Sequence, residues 1–350
     1  MSEKCISSNQ NNSTNVNVAP TDGTMAEPMT SYPEDSTVED LLHLLSESFL
    51  LDERIAGNRL GDLLAETIRD AGRRPLPDLG QAGDRYTVRR DVDEPLTFLY
   101  RPHLFPDMDE ALRLGHAVQY HLLPRELPPD TPVDAGAVLE SYCHLSGDLF
   151  GWRGESNGKL TLWLIDVSGH GVRAGFAAVV MKLLLAEMDP GLPLTEIPRQ
   201  LENRFQAARN PDDSTFLYAT GAFLRIADDG GIDYVSAGHQ PLLLCREDGT
   251  VESLDATGMP IALIPGGRWE GGETRLAKGD TLLLFSDGLV ELRNDVEEEF
   301  GVDRVADVLR RGGPASEIGE NLLRAIEDFH DLERLDDDLS LIVLQRRIPR

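Results

Sequence analysis

Seven short apolar runs in the second half of the chain have the length and residue types of β-strands. Turn signals such as the Asp-Gly pairs at 229–230 and 248–249 separate neighbouring runs by the few residues that a hairpin needs. The pattern therefore predicts antiparallel sheets. The runs cover residues 136–145, 159–167, 220–227, 231–238, 241–247, 280–288 and 339–347.

Helical periodicity interrupts these strands in three places, at 172–188, at 194–208 and at 302–329, where Gly-Gly-Pro at 312–314 breaks the last segment. A doubly wound parallel sheet would alternate strands with helices along the chain. Here the strands are grouped among themselves and the helices are inserted in pairs. This order predicts an α+β layered fold with antiparallel sheets.

The first third of the chain has a different texture. Residues 1–35 are rich in Asn, Ser, Thr and Pro and poor in large apolar side chains, which predicts a disordered tail. Residues 36–105 carry helical spacing at about 36–56 and 63–71, followed by a weakly alternating stretch at 86–100 that is typical of one or two strands. We interpret 36–105 as a small, mostly helical regulatory or dimerisation segment.

A connecting helix is predicted at 106–126, because apolar residues recur at helical spacing over 107–123 and Pro124 follows. The strand-rich remainder, 127–347, is then the main domain. No run approaches the 18 or so apolar residues of a membrane helix, and the N-terminus lacks the features of a secretory signal. The sequence therefore predicts no membrane association.

Charge and cysteine content narrow the function classes further. The chain has 61 Asp plus Glu against 33 Lys plus Arg, and such an acidic excess repels nucleic acids and anionic lipid surfaces. Nucleic-acid binding is therefore disfavoured. The three cysteines, Cys5, Cys143 and Cys245, are odd in number and widely scattered, which is typical of a reducing compartment and predicts a cytoplasmic protein.

Two aspartates follow apolar strands in the same way. Asp166 ends the run in LTLWLIDVSGHG, and Asp287 ends the run in TLLLFSDGLVE. Either residue alone is explained by a turn or a helix cap. Two such acids beside one core are harder to explain in this way, because each carries charge next to apolar surface. A divalent cation between them would relieve the repulsion.

Further acids extend this set. Asp148 follows a strand-like run in Ser146-Gly147-Asp148, and three consecutive acids at 336–338 open the last strand. Oxygen ligands without clustered His or Cys favour Mg²⁺ or Mn²⁺ over zinc or copper. Two such ions about 3.5–4 Å apart bind a phosphoryl group and activate a water for attack on it. The predicted chemistry is therefore phosphate ester hydrolysis.

The motifs together resemble the metal-dependent PPM-type protein phosphatases (phosphatase 2C-like), in their bacterial RsbU/SpoIIE branch. The resemblance covers about residues 108–346 and follows the order of the family's signatures. It implies a layered α-β-β-α sandwich of two antiparallel sheets flanked by helices. The matching segments read AVQYHLLPRELP, SGDLF, DVSGHGVRAGF, YVSAGHQPLLL, GMPIAL, FSDGLVE and DDLSLIVL.

The resemblance also implies a role for each acid. Asp166 would bridge two Mn²⁺ or Mg²⁺ ions, and the backbone carbonyl of Val167 would be a further ligand. Asp287 and Asp337 would complete the shell of one ion. Asp148 would hold the second ion, mainly through water. Attack by metal-activated water on phosphoserine or phosphothreonine, without a phosphoenzyme, is the family mechanism that these positions imply.

Two assignments in this set have alternatives. Asp337 is chosen over Asp336 and Asp338 because the family's acid stands two residues before the apolar residue that opens the last strand, here Leu339. His170 stands beside the Asp166 turn and is a candidate general acid. A histidine that faces solvent explains the same position, and the family often has Lys there.

The chain departs from the family pattern at two positions. The family's first motif commonly has a second acid where Gly151 stands, so the sequence leaves open whether the metal site or only a loop contact is altered. His239 stands where more distant relatives carry Asp, so no third metal is expected there. A hairpin-turn histidine is the favoured interpretation of that position.

The resemblance implies a phosphorylated protein substrate, an anti-sigma-factor antagonist of a partner-switching pathway. Residues 36–123 would bind an activating partner or form a homodimer. A degenerate phosphatase domain that serves as a scaffold is the alternative, although all four expected acids are present. A nucleotide phosphodiesterase would be expected to show clustered His ligands, whereas the eight histidines here are dispersed.

Overall fold

The computed structural model describes residues 67, 86–89, 95–101, 115, 118–124, 126–142, 145–155, 158–208, 217–330 and 335–347. The predicted tail at 1–35, the predicted helix at 36–56 and most of the predicted helix at 63–71 lie outside these residues. The connecting helix is described at Gly115 and at 118–122, and it ends before Pro124 as predicted. In the described residues no helix is long and apolar enough to cross a lipid bilayer.

Besides the connecting helix, twelve strands and four helices are described with their full bounds, and a short 3₁₀ turn follows the eleventh strand. In chain order they are β1 (Tyr86–Arg89), β2 (Pro95–Arg101), β3 (Val133–Glu140), β4 (Asp148–Gly154), β5 (Leu160–Val167), α1 (Val172–Ala186), α2 (Glu196–Ala208), β6 (Ala219–Ile226), β7 (Gly231–Ala237), β8 (Leu242–Cys245), β9 (Val251–Leu254), β10 (Gly272–Arg275), β11 (Thr281–Phe285), the 3₁₀ turn (Asp287–Leu289), α3 (Gly301–Arg311), α4 (Ala315–Phe329) and β12 (Leu339–Arg346).

The strands form two sheets. The larger has the order β1-β2-β3-β12-β11-β8-β9, and the smaller has the order β10-β7-β6-β5-β4. Neighbouring strands are antiparallel except β2 and β3, which are parallel. Helix α1 packs on the smaller sheet and α2 packs against α1, while α3 and α4 pack on the larger sheet. The predicted α-β-β-α sandwich of antiparallel sheets is confirmed.

Two apolar layers hold this arrangement together. The first contains the inward side chains of both sheets together with α1 and α2, and the second lies between the larger sheet and α3 and α4. Because β5 is covered on both faces, nearly every position in Leu160–Val167 is buried and the strand is a continuous apolar run. Helix α1 is buried on most of its sides for the same reason.

All seven predicted strands are present as β3, β5, β6, β7, β8, β11 and β12. The pattern missed β9 and β10, which are polar and largely exposed, and β4, whose first residues look like a turn. The alternating stretch at 86–100 forms β1 and β2, which extend the larger sheet across the predicted boundary at 105. Apart from Thr67, the described part of 36–105 is strand, so the prediction of a mostly helical appendage rests on residues outside the described ones.

Candidate metal centre

The first pair of predicted ligands lies on the smaller sheet. Asp148 opens β4 and Asp166 lies near the end of β5, and the two residues are directly opposite each other across the strand pair. Opposed side chains point to the same face of a sheet, with Cβ atoms about 4.5–5.5 Å apart. On the next strand, Thr220 is opposite Asp166. These three side chains therefore form a row across one face of the sheet.

The second pair lies on the larger sheet. Asp287 begins the 3₁₀ turn directly after β11, and Asp337 lies two residues before β12. Because β11 and β12 are antiparallel neighbours, the end of one lies beside the start of the other. The Ser286 amide donates to the Ser340 carbonyl at 2.9 Å, and the Ser340 amide donates to the Ser286 hydroxyl at 2.8 Å.

The two pairs meet where the sheets face each other. Burial is the main cause that raises the pKa of Asp166 to about 8, and repulsion from Asp287 and then Asp337 contributes. Burial also raises the pKa of Asp148 well above its usual value, with repulsion from Asp166 next. The pKa of Asp337 is raised by burial and by Asp287. The structure therefore brings the four predicted acids together around Asp166, which is close enough to repel Asp148 and to be repelled by Asp287 and Asp337.

The donor set of this cluster fits a hard divalent cation. Its side chains offer carboxylate oxygens, which Mg²⁺ and Mn²⁺ prefer. Oδ2 of Asp148 is buried without a hydrogen-bond partner, and a buried polar atom of this kind calls for an explanation. No three His, Cys, Asp or Glu side chains within the described ranges form a ready-made ligand cage. The carboxylates would therefore have to draw together around a bound cation.

The backbone on either side of Asp166 is held by a hydrogen bond to the loop before Asp148 and by a glycine turn. The Val167 amide donates to the Gly147 carbonyl at 3.2 Å, which joins the end of β5 to the loop before Asp148. Gly169 has φ of 83° and Gly171 has φ of 78°, so the turn after β5 uses left-handed conformations that glycine adopts without strain. Metal ligation by the Val167 carbonyl stays a prediction.

His170 lies at the exposed edge of the cluster. Its ring packs edge-on against Tyr142 with centroids 4.5 Å apart. It is close enough for its charge to lower the pKa of Asp337, against the larger effect of burial. The position suits either alternative from the sequence, so the role of general acid stays a prediction.

Asp338 is a functional candidate that sequence reasoning passed over. Its side chain is buried and accepts hydrogen bonds from the Tyr142 amide at 2.8 Å and the Gly147 amide at 2.7 Å. Burial raises the pKa of Asp338 to about 7. Asp337, by contrast, is exposed. Asp338 directly precedes β12, and its hydrogen-bond partners lie 196 and 191 residues earlier in the chain, so no local pattern pointed to it.

His239 does not lie in the hairpin turn that the sequence favoured, because the strands on either side of it, β7 and β8, belong to different sheets. It is 4% exposed, and burial lowers its pKa to about 4, so the ring is neutral. The Thr220 hydroxyl lies 2.7 Å from Nδ1 of His239 and 3.4 Å from Oδ2 of Asp166. Because the shorter contact is the stronger hydrogen bond, His239 orients the threonine beside the central acid.

Gly151 is not a lost metal ligand in this geometry. It lies three residues after Asp148 on β4, so it points to the opposite face. A Cβ at Gly151 would collide with the ammonium of Lys182 on α1. That ammonium donates to the Phe150 carbonyl at 3.2 Å and lies 4.5 Å from the ring centroid of Trp163. Glycine at position 151 therefore leaves room for a contact between Lys182 on α1 and strand β4.

Lys182 provides a pH-dependent prediction. Burial lowers its pKa to about 7, below the unfolded value of about 10.4. Below about pH 7 the folded protein holds a buried, charged ammonium, which lowers its stability by the full amount. As pH rises from about 7 towards 10, the folded state is neutral at this group and the stability increases. We expect Lys182→Met to raise the melting temperature by about 5 °C at pH 7 and by less at pH 9.5.

The control is Lys278→Met, which removes an exposed lysine and is expected to leave the pH profile unchanged. Thermal unfolding of the three proteins across this pH range makes the comparison. A stabilisation by Lys182→Met that does not shrink with rising pH would contradict the buried-ammonium account.

Comparison with known proteins identifies the family of this chain. The family model described as Stage II sporulation protein E (SpoIIE) matches residues 156–347. The chain is 27% identical over 248 residues to the phosphoserine phosphatase RsbU of Bacillus subtilis (strain 168), covering 69% of this chain and 72% of RsbU. It is 23% identical over 235 residues to the phosphoserine phosphatase RsbP of the same strain, covering 67% of this chain and 57% of RsbP.

Solved structures give the same fold. The SiaA-PP2C domain of Pseudomonas aeruginosa superimposes with a TM-score of 0.59 at 16% identity, covering 68% of this chain and 96% of that one. The phosphatase domain and regulatory fragment of SpoIIE from Bacillus subtilis give 0.51 at 20% identity, covering 62% and 64%. The two facing sheets with an acid cluster define a PP2C-like phosphatase domain. The chain belongs to the SpoIIE family.

Proposed function

We propose that this protein is a metal-dependent serine/threonine phosphoprotein phosphatase that uses two Mn²⁺ or Mg²⁺ ions. The observation that carries the proposal is the meeting of two acid pairs, one from each sheet, in a single cluster with raised pKa values. Closely spaced carboxylates of this kind, with Asp148 buried among them, are unfavourable unless cations neutralise them.

Each acid would have a distinct task. Asp166 lies between Asp148 on its own sheet and the Asp287 and Asp337 pair on the other, so it would contact both ions, with the Val167 carbonyl as a further ligand. When bound, the ions supply an activated water and neutralise the phosphoryl oxygens. The exposed edge of the cluster leaves access for a phosphorylated side chain.

The remaining residues position these ligands. Asp338 accepts hydrogen bonds from the backbone before Asp148, and Thr220 lies beside Asp166. His170, at the exposed edge beside Asp337, would be placed to give a proton to the departing serine or threonine oxygen. Phosphoryl transfer depends mainly on positioning and charge neutralisation, so no nucleophilic side chain is required.

The proposed substrate is a phosphorylated signalling protein, an anti-sigma-factor antagonist of a partner-switching pathway. The names of RsbU and RsbP as phosphoserine phosphatases support this class. Residues 36–123 would receive the input, through an activating partner or a homodimer. The odd number of scattered cysteines supports a cytoplasmic location.

The substrate class is tested with a serine-phosphorylated antagonist protein and phosphate-affinity gels. With Mn²⁺ present, the wild-type chain is expected to convert the phosphorylated band to the unphosphorylated one. Asp337→Asn should slow this conversion at least about tenfold, because a ligand is lost. Asp336→Asn, which changes the exposed neighbour, should not. Unchanged phosphorylated protein with the wild type would reject this substrate class.

The alternative is a degenerate domain that acts as a scaffold. Missing ligands would favour it, but all four expected acids are present, and Gly151, which replaces the family's second acid, points away from Asp148. A scaffold without a functioning site would bind its partner in the presence of EDTA as well as Mn²⁺ and release no phosphate. The complete acid set favours the phosphatase.

A further inference from the structure

Gln119, on the connecting helix, is a buried polar side chain whose amide makes three hydrogen bonds near the metal centre. It is 1% exposed. Its Nε2 donates to the Ser146 carbonyl at 2.6 Å and to the Gly175 carbonyl at 3.2 Å. Its Oε1 accepts a hydrogen bond from the Ser146 amide at 3.0 Å. Both backbone groups of Ser146 are therefore bound by one amide side chain.

These bonds hold the loop that carries a predicted ligand. The Ser146 hydroxyl accepts a hydrogen bond from the Asp148 amide at 3.0 Å, and Asp338 accepts one from the Gly147 amide at 2.7 Å. Gln119 therefore binds the loop from one side and Asp338 from the other. The loop has little freedom to shift along β5, where Asp148 must stay opposite Asp166.

The hydrogen bond from Gln119 to the Gly175 carbonyl connects the same side chain to α1. Gly175 lies in the first turn of that helix, directly after the glycine turn that follows Asp166. A Cβ at Gly175 would collide with Leu145, so helix and loop are also in close backbone contact there. One side chain from a segment that precedes the sheets thus joins the two backbone segments that flank the Asp148 and Asp166 pair.

We propose that Gln119 is a positioning residue for the metal centre, which fixes the Ser146–Gly147–Asp148 loop so that Asp148 and Asp166 bind the cations together. The inference rests on the proposed metal site. Removing the amide would leave the Ser146 backbone groups buried without partners, and the loop would have to move to regain them. Outer contacts of this kind govern ligand orientation, and their loss typically lowers metal affinity about 10–100-fold.

The test is calorimetric titration of the full chain with Mn²⁺. Gln119→Leu removes all three hydrogen bonds at similar volume, and we expect its Kd for Mn²⁺ to rise at least about tenfold. Gln119→Glu keeps an acceptor for the Ser146 amide but cannot donate to the two carbonyls, so its Kd should also rise. Melting temperatures without metal show whether each variant is folded.

Gln345→Leu is the matched control. Its amide also joins two segments, donating to the Thr281 hydroxyl at 2.9 Å and the Gly313 carbonyl at 2.8 Å, but at the far end of β12. We expect its Kd for Mn²⁺ to stay within about twofold of the wild type. Amide hydrogen exchange at Ser146 and Gly147 should become faster in Gln119→Leu and stay unchanged in Gln345→Leu.

The possible outcomes are distinct. Weaker binding in both Gln119 variants with normal binding in Gln345→Leu supports the positioning role. Equal Kd values in the wild type and a folded Gln119 variant overturn it and leave the proposed function standing. A wild type that binds no Mn²⁺ overturns the positioning role together with the metal site on which it rests.

Discussion

Asp166→Asn is expected to lower Mn²⁺-dependent hydrolysis of a phosphoserine peptide by at least about a hundredfold, because the proposed bridging ligand loses its charge. The same change should make the metal-free protein more stable at pH 8. In the wild type, burial and then repulsion from Asp287 and Asp337 raise the pKa of this carboxyl to about 8. Asparagine carries no charge and removes this repulsion.

Lower activity together with higher stability would indicate a lost ligand, whereas lower activity together with lower stability would indicate a damaged fold. Asp233→Asn is a suitable control, since it neutralises an exposed acid on β7 of the same sheet. It should change neither activity nor stability by a measurable amount. Activity within about tenfold of the wild type in a folded Asp166→Asn protein would show that Asp166 is not the bridging ligand.

The metal-free wild type is expected to lose stability as pH rises from about 4 to about 8. The pKa values of Asp166 and Asp338 are raised to about 8 and about 7, so the folded state holds protons that the unfolded state releases near pH 4. The stability that these two carboxyls contribute is fully present below their unfolded-state pKa of about 4, and it is lost as pH rises through their folded-state pKa values.

Mn²⁺ should reverse this loss. At about 100 times its Kd, a bound ion adds about 2.7 kcal/mol, which corresponds to about 5–10 °C in melting temperature for a domain of this size. The gain should be larger at pH 8 than at pH 5, because protons compete with the metal for the carboxylates. Melting curves with EDTA and with Mn²⁺ at both pH values provide the check. A metal-free melting temperature that rises from pH 5 to pH 8 would contradict the raised pKa values.

The fold and the acids Asp166 and Asp287 were accessible from sequence because both have local signatures, whereas the roles of Asp148 and Asp337 followed from the family resemblance. An apolar run marks each central strand, and an acid at its end marks the edge of the sheet. Asp166 and Asp287 are two such acids, and each one alone could be explained by a turn or a helix cap. The structure adds that Asp148 is opposite Asp166 and that Asp337 lies beside the strand end carrying Asp287.

The supporting contacts were not accessible in this way. Gln119 and Ser146 are 27 residues apart, and Gly147 and Asp338 are 191 apart, so no local pattern reports either contact. Lys182 shows the same limit, because its burial depends on a glycine on a different element. Polar edge strands such as β9 and β10 escape prediction because they lack the buried face that creates alternation.

The most direct test of the account is phosphate release from a phosphoserine peptide, measured against Mn²⁺ concentration for the wild type, Asp287→Asn and Asp336→Asn. The wild type and Asp336→Asn should turn over only when metal is present, and Asp287→Asn should be at least about a hundredfold slower. Phosphate release by the wild type in EDTA, or equal rates in Asp287→Asn, would contradict a phosphatase built on this acid cluster.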